Sequence, residues 1–364
     1  MKSQISFLDI FRSIGSFRIK FLKTFDYTLG GLTAFLLPPL PNKDLPHKFK
    51  KILVIRPGGA GDAVFLLPIL KILGNQGFVV DVLCEKRNAE IFTSQSHLLN
   101  EIYLYEKEIF EVLRKSYDIV VDTEQWHYLS AIVGYFIKSE YKIGFVTRPL
   151  RAKLFHKRVQ YNENGYELDD FKRLFEGILP AEIRVVDINN CFDVPFDKNA
   201  WASEQMPDRS VSVFLGASVS MRRLTLEQLL IVIHELLDKN YIPVLLGGKD
   251  VVVMSRQVIK NIKDQRVKDF VGKTSLLESA ALIQRSGKFI GTDSGLMHLA
   301  CAVGTPVIAF FGPSNKNKWG PKGSEHKIIT ENVSCSPCAR FGYTLPTCWG
   351  SYHCMKKLKL EKIL

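Results

Sequence analysis

Two turns in this 364-residue sequence carry side chains that are suited to chemistry. The first is TDSG, residues 292–295, which lies between a short apolar strand and a helix predicted over residues 296–303. Free backbone N–H groups and the positive dipole end make a helix N-terminus an anion site, for phosphates above all. His298, in the first turn of that helix, would lie beside the anion. The stretch predicts a phosphate-binding turn, although the same pattern also occurs as ordinary packing in α/β proteins.

The second turn is PGGAGD, residues 57–62, which follows a predicted strand over Lys51–Arg56. A carboxylate beside flexible glycines at the start of a helix suits a general base in an open cleft, and we assign that role to Asp62. The alternative is a favourable charge at a helix N-terminus. The turn does not fit the dinucleotide-binding fingerprint, because Val64 stands at the third glycine position and Asp62 would face the pyrophosphate.

Both turns belong to a strand, turn and helix pattern that occurs in each half of the chain. Further strands are predicted at residues 78–84, 117–122, 141–145, 210–215, 242–246 and 306–311, and a capping box at Ser275 and Glu278 opens another helix. Residues 186–209 are predicted to be a loop-like linker. The expected architecture is α/β, with two Rossmann-like βαβ domains that face each other across a cleft.

The charge of the chain points to an acidic partner. The formal net charge is +12, while the hydrophobic content of 46% is that of a globular protein. Nucleic acid, an anionic membrane surface and phosphorylated substrates all fit this charge. Nucleic acid is the least favoured, because no aromatic residues alternate with the basic clusters. No apolar run reaches the ~20 residues needed to span a bilayer, so we expect a cytoplasmic protein.

The N-terminal segment, residues 1–48, differs in composition from the rest of the chain. A helix would place a row of apolar side chains on one face, opposite several basic residues. Such a basic, Phe-rich helix suits a membrane interface, and it is not a signal peptide because basic residues interrupt the apolar stretch. Docking on the protein's own surface is the alternative. The apolar row consists of Phe7, Ile10, Phe11, Ile14, Phe17 and Phe21.

Four of the seven cysteines lie near the C-terminus, at Cys335, Cys338, Cys348 and Cys354. Four thiolates could hold a structural zinc ion, but the second pair is spaced more widely than usual. Reduced thiols or a redox-sensitive pair are the alternatives. The odd count and the crowding do not resemble a secreted disulfide framework.

Taken together, the motifs resemble glycosyltransferase family 9, the heptosyltransferases of lipopolysaccharide core assembly. The similarity covers about residues 25–360, and the Asp-Ser-Gly-x-x-His block is its most specific part. The carrying segments are KILVIRPGGAGDAVFLLP (51–68), GASVSMRRLTLE (216–227), LGG (246–248), VGKTSL (271–276) and GTDSGLMHLACAVGTPVIAFFGP (291–313).

The resemblance implies a GT-B fold and an inverting, metal-independent transfer of a sugar from a nucleotide sugar, typically ADP-heptose, to a lipid-linked glycan. No cofactor is implied. The cytoplasmic side of the inner membrane is the implied location, with peripheral attachment. No Asp-x-Asp metal motif is evident at a strand end of the donor half, which agrees with a metal-independent reaction.

The resemblance also assigns residues to roles. Asp62 matches the general base, and Ser294, Gly295 and His298 match the diphosphate-binding turn. Arg222 stands where many members have a lysine that meets the donor phosphates, which keeps the charge and changes the hydrogen-bond geometry. The less secure donor-pocket positions are Ser218, Gly248 and Asp293, of which Asp293 is expected to cap the turn. The acceptor side is assigned to Gly61, Gln125, Arg148 and Arg151, the last two from a basic stretch that could receive an acidic acceptor.

Four segments follow from these assignments. They are an amphipathic helical extension (1–48), an acceptor-binding domain (49–195), a nucleotide-sugar-binding domain (196–334) and a cysteine-containing tail with a C-terminal helix (335–364). Three alternatives remain open at this point. They are a GT-B transferase with another nucleotide sugar, a non-catalytic nucleotide-binding scaffold, and, more distantly, an NAD oxidoreductase.

Overall fold

The computed structural model describes residues 23–180, 187–217, 219–340, 343–344, 348, 352–360 and 362–364. The chain divides into two compact units, Met1–Asp187 (unit 1) and Ile188–Leu364 (unit 2). Both units are α/β. The row of apolar residues predicted for a helix over Phe7 to Phe21 lies outside the described residues, as does Ser218.

Unit 1 is built on a parallel sheet of six strands in the order β3-β2-β1-β4-β5-β6. The central strands are apolar runs that are buried almost completely, as expected for a parallel sheet with helices on both faces. The strand order reverses between β1 and β4, so the loops after these two strands border the crevice where α/β sheets bind ligands. The strands are β1 (Lys51–Arg56), β2 (Val79–Cys84), β3 (Glu101–Leu104), β4 (Ser116–Asp122), β5 (Lys138–Phe145) and β6 (Lys157–Val159).

The helices of unit 1 follow the strands in sequence. The helix after β1 is the longest described, and Pro68 lies inside it. The helices are α1 (Gly31–Leu36), α2 (Ala60–Asn75), α3 (Ala89–Thr93), α4 (Tyr105–Arg114), α5 (Tyr128–Phe136), α6 (Pro149–Ala152) and α7 (Glu167–Leu174), with a π-helical turn at Asp26–Gly30 and a 3-10 turn at Ser96–Leu98.

Unit 2 repeats the topology in its own parallel sheet, with the order β12-β11-β10-β7-β8-β9. Counted from its first strand, this is the same order as in unit 1, and its switch point lies between β7 and β10. The strands are β7 (Ser210–Phe214), β8 (Ile242–Leu246), β9 (Lys268–Asp269), β10 (Lys288–Thr292), β11 (Val307–Phe311) and β12 (Lys327–Thr330), with a small antiparallel pair of β13 (Ala339–Arg340) and β14 (Tyr343–Thr344).

The helices of unit 2 begin at clear capping signals. The predicted capping box at Ser275 and Glu278 is confirmed, and Thr225 with Gln228 forms a second one. The helices are α8 (Phe196–Gln205), α9 (Leu226–Asp238), α10 (Val252–Ile262), α11 (Leu276–Arg285), α12 (Gly295–Ala302), α13 (Lys316–Trp319) and α14 (His353–Lys356), with 3-10 turns at Ser220–Arg222 and Lys249–Val251.

The prediction of a loop over residues 186–209 is wrong in part, because α8 occupies the middle of this range. This helix starts directly after Pro195, whose fixed φ favours a helix start, and it packs against α11. Ala202 is fully buried, and the Trp201 ring contacts Phe270 edge-on. Polar and charged residues make up much of this helix, so the sequence shows no clear apolar periodicity there.

The C-terminal segment is part of the unit 2 core. Cys354, Met355 and Leu358 are buried in the same apolar cluster as the central strands. The Gln228 side-chain amide donates a 2.7 Å hydrogen bond to the carbonyl of Met355. The segment is thereby fixed against α9.

The described part of the N-terminal segment docks on unit 1 through the turn Asp26–Gly30 and α1. Asp26 is buried, where one carboxylate oxygen accepts a 2.8 Å hydrogen bond from the backbone N–H of Leu129 and the other lies 3.1 Å from His127 Nδ1. A side chain at Gly30 would come within 3.1 Å of Tyr128, so a glycine permits this close packing. No helix within the described ranges is long and apolar enough to cross a membrane.

Candidate active site

The crevice of unit 1 begins at the turn between β1 and α2. Gly58 has a φ of +111°, which a glycine adopts without strain. Gly59 is the N-cap of α2, and Gly61 and Asp62 lie in the first turn of that helix. Asp62 therefore lies at the switch point, where its carboxylate is partly exposed at 23% of its side-chain surface.

Gln125 lies beside Asp62, so the structure brings these two predicted site residues together. Its side-chain nitrogen is 3.4 Å from Asp62 Oδ1 and 2.7 Å from Glu167 Oε1. Gln125 follows β4, and Glu167 opens α7. One amide therefore separates two carboxylates that would otherwise repel each other across the crevice.

Arg56 and Glu124 are site residues that the sequence reasoning missed. The Arg56 guanidinium lies 3.1 Å from Glu124 Oε2 and 3.8 Å from Asp62 Oδ2. Burial opposes the charge on Arg56, but the carboxylates of Asp62 and Glu124 outweigh it and hold the Arg56 pKa above its ordinary value. The sequence offered one signal for Arg56, which is a charged residue at the end of the apolar strand β1.

Arg148 and Arg151, the basic residues assigned to the acceptor side, differ in their surroundings. The Arg148 guanidinium lies among three aromatic rings, those of Trp126, Tyr27 and Tyr128, at 4.1, 5.0 and 4.9 Å from the ring centroids. Its Nη1 has no hydrogen-bond partner among the described residues. Arg148 is thus a buried cation held by aromatic faces.

Arg151 is completely buried and serves the structure of unit 1. Its Nη2 lies 2.6 Å from Asp122 Oδ2, and its other nitrogens donate to the backbone carbonyls of His127 and Phe145. These bonds tie the loop after β4 to the end of β5. Arg151 is therefore engaged in structural contacts and takes no part in the proposed reaction.

The crevice of unit 2 is formed by the turn between β10 and α12. Ser294 is the N-cap of α12, and its hydroxyl accepts a 3.3 Å hydrogen bond from the backbone N–H of Met297. Gly295 is the first residue of the helix, and Gly304 just beyond its end has a left-handed φ of +82°. The predicted helix is confirmed within one residue at each end.

Asp293 pairs with Arg222, lies near the His298 ring and does not cap the helix, since Ser294 does. Arg222 Nη1 lies 3.0 Å from Asp293 Oδ2, and His298 Nε2 lies 3.8 Å from Asp293 Oδ1. Asp293, Arg222 and His298 therefore form one cluster at the N-terminus of α12. The expectation that Asp293 caps the turn is corrected in this respect.

The neighbouring loops complete the edge of unit 2. Gly248 follows β8 as the N-cap of the 3-10 turn Lys249–Val251, and a side chain there would come within 2.7 Å of Asp250. The Thr292 hydroxyl donates a 3.3 Å hydrogen bond to the carbonyl of Gly216, which joins the end of β10 to the loop after β7. Gly248 thus lies one strand away from the switch point.

The four C-terminal cysteines are all among the described residues, and none of them forms a disulfide bond there. Within the described ranges, no group of three or more His, Cys, Asp or Glu side chains is arranged to hold a metal ion. Burial raises the pKa of the Cys338 thiol to about 11, and the neighbouring cysteines add a smaller effect in the same direction. The proposal of a zinc site finds no support in this arrangement.

The two units and their crevices define a GT-B type α/β protein. The family model of glycosyltransferase family 9 (heptosyltransferase) matches residues 107–347, and the chain belongs to this family. The expected family and fold are confirmed. Lipooligosaccharide heptosyltransferase 2 of Campylobacter jejuni is 31% identical over 122 residues, which cover 32% of this chain and 37% of that protein. The match thus spans little more than a third of the relative.

Solved structures support the same fold. The glycosyl transferase family 9 structure from Veillonella parvula superposes with a TM-score of 0.69 at 18% identity, covering 79% of this chain and 87% of that chain. The E. coli ADP-heptose lps heptosyltransferase II superposes with a TM-score of 0.66 at 20% identity, covering 78% and 91%. At these identities the likeness concerns the fold alone.

Proposed function

We propose that this protein is a heptosyltransferase that transfers heptose from ADP-heptose to a lipid-linked glycan of the lipopolysaccharide-core type. The observation that carries the proposal is the placement of Asp62 and of the Arg222 cluster, each at the switch point of its own sheet, in a chain of glycosyltransferase family 9. The name of the similar E. coli enzyme supports ADP-heptose as the donor class.

On the donor side, the N-terminus of α12 binds the diphosphate. Negative charge develops on this group as the sugar departs, and the backbone N–H groups at Ser294 and Gly295 stabilise it together with the helix dipole. Arg222 adds a cation, and its contact with Asp293 holds the guanidinium at this turn before the donor binds. In this proposal the protein's own cations, and not a divalent metal ion, neutralise the leaving group.

On the acceptor side, Asp62 acts as the general base. It accepts the proton of the acceptor hydroxyl while the hydroxyl oxygen bonds to the anomeric carbon from the face opposite the diphosphate. The bond between that carbon and the diphosphate breaks, and ADP leaves with the electron pair. One such displacement inverts the anomeric configuration. Arg148, a buried cation among aromatic rings, binds an anionic group of the acceptor.

Nucleotide release from a panel of nucleotide sugars tests this proposal. With ADP-, UDP- and GDP-sugars and a lipid-linked core acceptor, we expect ADP release only from ADP-heptose, and none from the Asp62→Asn variant. Release of UDP or GDP would instead indicate a transferase with another donor. ADP binding without transfer to any acceptor would favour a non-catalytic nucleotide-binding protein. Full transfer by Asp62→Asn would instead contradict the assignment of Asp62 as the general base.

We also propose that the protein attaches peripherally to the inner face of the cytoplasmic membrane through its docked N-terminal segment. One side of this segment is buried on unit 1, while the other presents five exposed apolar side chains. Lys153 lies 5.9 Å from the Phe35 ring centroid and donates to the Phe35 carbonyl, which places a cation beside this apolar surface. Apolar and basic groups together fit an anionic lipid surface. The exposed residues are Phe25, Leu29, Leu32, Phe35 and Leu36.

Vesicle flotation tests the attachment. The double variant Leu32→Glu/Phe35→Glu should lose binding to vesicles that contain phosphatidylglycerol. Phe196→Glu is the matched control, because Phe196 is a highly exposed apolar residue of unit 2, and it should bind like the wild type. Equal binding by the double variant would refute the proposed surface.

A further inference from the structure

Each nitrogen of the Arg56 guanidinium has a partner inside the protein, as is also true of Arg151. The residue is only 2% exposed. Its Nε donates to the carbonyl of Pro57 at 2.6 Å, and its Nη1 donates to the carbonyl of Thr123 at 2.8 Å. Its Nη2 faces Glu124 Oε2 at 3.1 Å and Asp62 Oδ2 at 3.8 Å. The guanidinium therefore has a fixed orientation between the turn after β1 and the loop after β4.

The two carboxylates at Nη2 have different surroundings. Glu124 is almost completely buried and is itself anchored, since its Oε1 accepts a 3.0 Å hydrogen bond from the backbone N–H of Trp126. Asp62 is partly exposed and lies 0.7 Å farther from Nη2 than Glu124 does, from the distances of 3.8 and 3.1 Å. Glu124 thus serves as the close counter-ion, while Asp62 receives the electrostatic field of the cation.

This difference suits a general base. A close hydrogen-bonded ion pair would occupy the lone pairs that must accept the substrate proton. A cation at 3.8 Å still favours the ionised carboxylate, since an opposite charge within about 4–6 Å acts in this way. The Gln125 amide, 3.4 Å from the other oxygen, orients the carboxylate without adding charge.

Other charged groups near Asp62 act in the opposite direction. Glu167 shares the Gln125 amide with Asp62, and Tyr161 donates a 2.7 Å hydrogen bond to the second oxygen of Glu167. Glu124 is the third carboxylate of the crevice. Arg56 is a cation in ion-pair range of Asp62, at 3.8 Å. Its positive charge opposes the repulsion among the three carboxylates, which would disfavour ionisation of the exposed one.

We propose that Arg56 is a positioning residue that keeps the Asp62 carboxylate ionised and oriented for proton abstraction while Glu124 neutralises the guanidinium. The inference rests on the proposed function, because it takes Asp62 as the base. It adds a role for a side chain that does not touch the substrate.

The test is the pH profile of kcat/KM for Arg56→Met and Arg56→Lys. Loss of the cation should move the acid limb of the Arg56→Met profile to higher pH by about one unit or more, the scale on which a neighbouring Arg shifts a carboxylate. Arg56→Lys should shift the limb less, because it keeps the charge without the fixed fork. The transfer rate at high pH should largely recover in both.

Lys142→Met is the matched control. Lys142 is also a buried cation of unit 1, but its ammonium donates to the backbone carbonyls of Gly134 and Ile137. It should leave the acid limb in place. A limb that does not move in Arg56→Met, or one that moves equally in Lys142→Met, would overturn the proposal.

A second variant keeps the inference testable if Arg56→Met does not fold. Glu124→Gln keeps the cation and removes its close counter-ion, so Arg56 should act more strongly on Asp62 and move the acid limb to lower pH. An unchanged or upward shift would count against the proposal. These outcomes differ from failure of the proposed function, because that failure would appear as unimpaired transfer by Asp62→Asn.

Discussion

The two units have the same strand order but opposite charge arrangements at their switch points. In unit 1, the carboxylates of Asp62, Glu124 and Glu167 lie around the buried Arg56, and Asp62 is the one that is partly exposed. In unit 2, one buried carboxylate, Asp293, pairs with Arg222 and lies near the His298 ring at a helix N-terminus. The exposed chemistry is therefore that of a base in one unit and of an anion site in the other.

This difference shows how one topology can serve two halves of a reaction. The parallel sheet only determines where the loops meet. The buried charged residue at each switch point, Arg56 in unit 1 and Asp293 in unit 2, then decides whether the crevice accepts a proton or a phosphate. In both units the central residue is buried, and it holds the group that would meet the substrate.

Arg222→Met is expected to have the largest effect on turnover, and its effect on ADP binding should distinguish the crevice of unit 2 from that of unit 1. Loss of this cation should lower kcat by about 10²–10³-fold, as for other groups that stabilise transition-state charge, and should weaken ADP binding as well. Asp62→Asn should lower kcat and leave ADP affinity unchanged, because Asp62 does not belong to the donor site. Turnover and ADP titration calorimetry measure both quantities.

Arg223→Met is the control for that prediction. Arg223 lies next to Arg222 but pairs with the exposed Asp250 and donates to the carbonyl of Ala217. We expect its kcat to stay within a few-fold of the wild type. If Arg223→Met and Arg222→Met lose activity equally, the cluster around Asp293 does not have the assigned role.

A smaller effect is expected for Asp293→Asn, which should lower the stability of the free protein and increase the stabilisation by ADP. In the free protein, the Asp293 carboxylate pairs with Arg222, where a phosphate of the donor would bind. The Asp293→Asn protein should therefore be less stable than the wild type in the absence of ligand. Bound ADP should then raise the melting temperature of the variant by more than it raises that of the wild type, because diphosphate replaces the missing anion. Thermal unfolding with and without ADP measures this. An equal or smaller rise in the variant would show that Asp293 does not compete with the ligand.

The sequence predicts much of the framework of both crevices. Buried parallel strands are apolar runs that end at glycines, so β1, β8, β10 and β11 can be placed almost to the residue. The Ser275 capping box is a local signal of the same kind. Short edge strands such as β3, β6 and β12 lack such runs and were missed.

The partners of the central charges could not be predicted. Arg56 and Glu124 are 68 residues apart, and only the adjacency of β1 and β4 in the sheet brings them together. Arg148 and Arg151 look alike in the sequence, yet one lies among aromatic rings and the other in a buried ion pair. Pairings of this kind depend on the tertiary fold and leave no local pattern.

The smallest expected effect concerns the contact between the N-terminal segment and unit 1. Burial opposes the charge of His127, but its hydrogen bond with Asp26 and the charge of Glu124 outweigh burial and raise the His127 pKa. A group with a raised pKa in the folded state contributes stability that is complete below its unfolded pKa of about 6.5 and is lost as the pH rises through the folded value. The docked segment should therefore loosen as the pH rises above about 6.5.

Hydrogen exchange of residues 26–36 between pH 5.5 and 8.5, corrected for the intrinsic pH dependence, measures this loosening. The change should be about 1 kcal/mol or less, because the His127 ring is partly exposed and solvent screens the pair. Asp26→Asn should flatten the dependence, since it removes the charge on the N-terminal segment that helps to raise the His127 pKa. Protection that stays constant in the wild type would show that hydrogen bonds and the close packing at Gly30, and not the ion pair, hold the segment on unit 1.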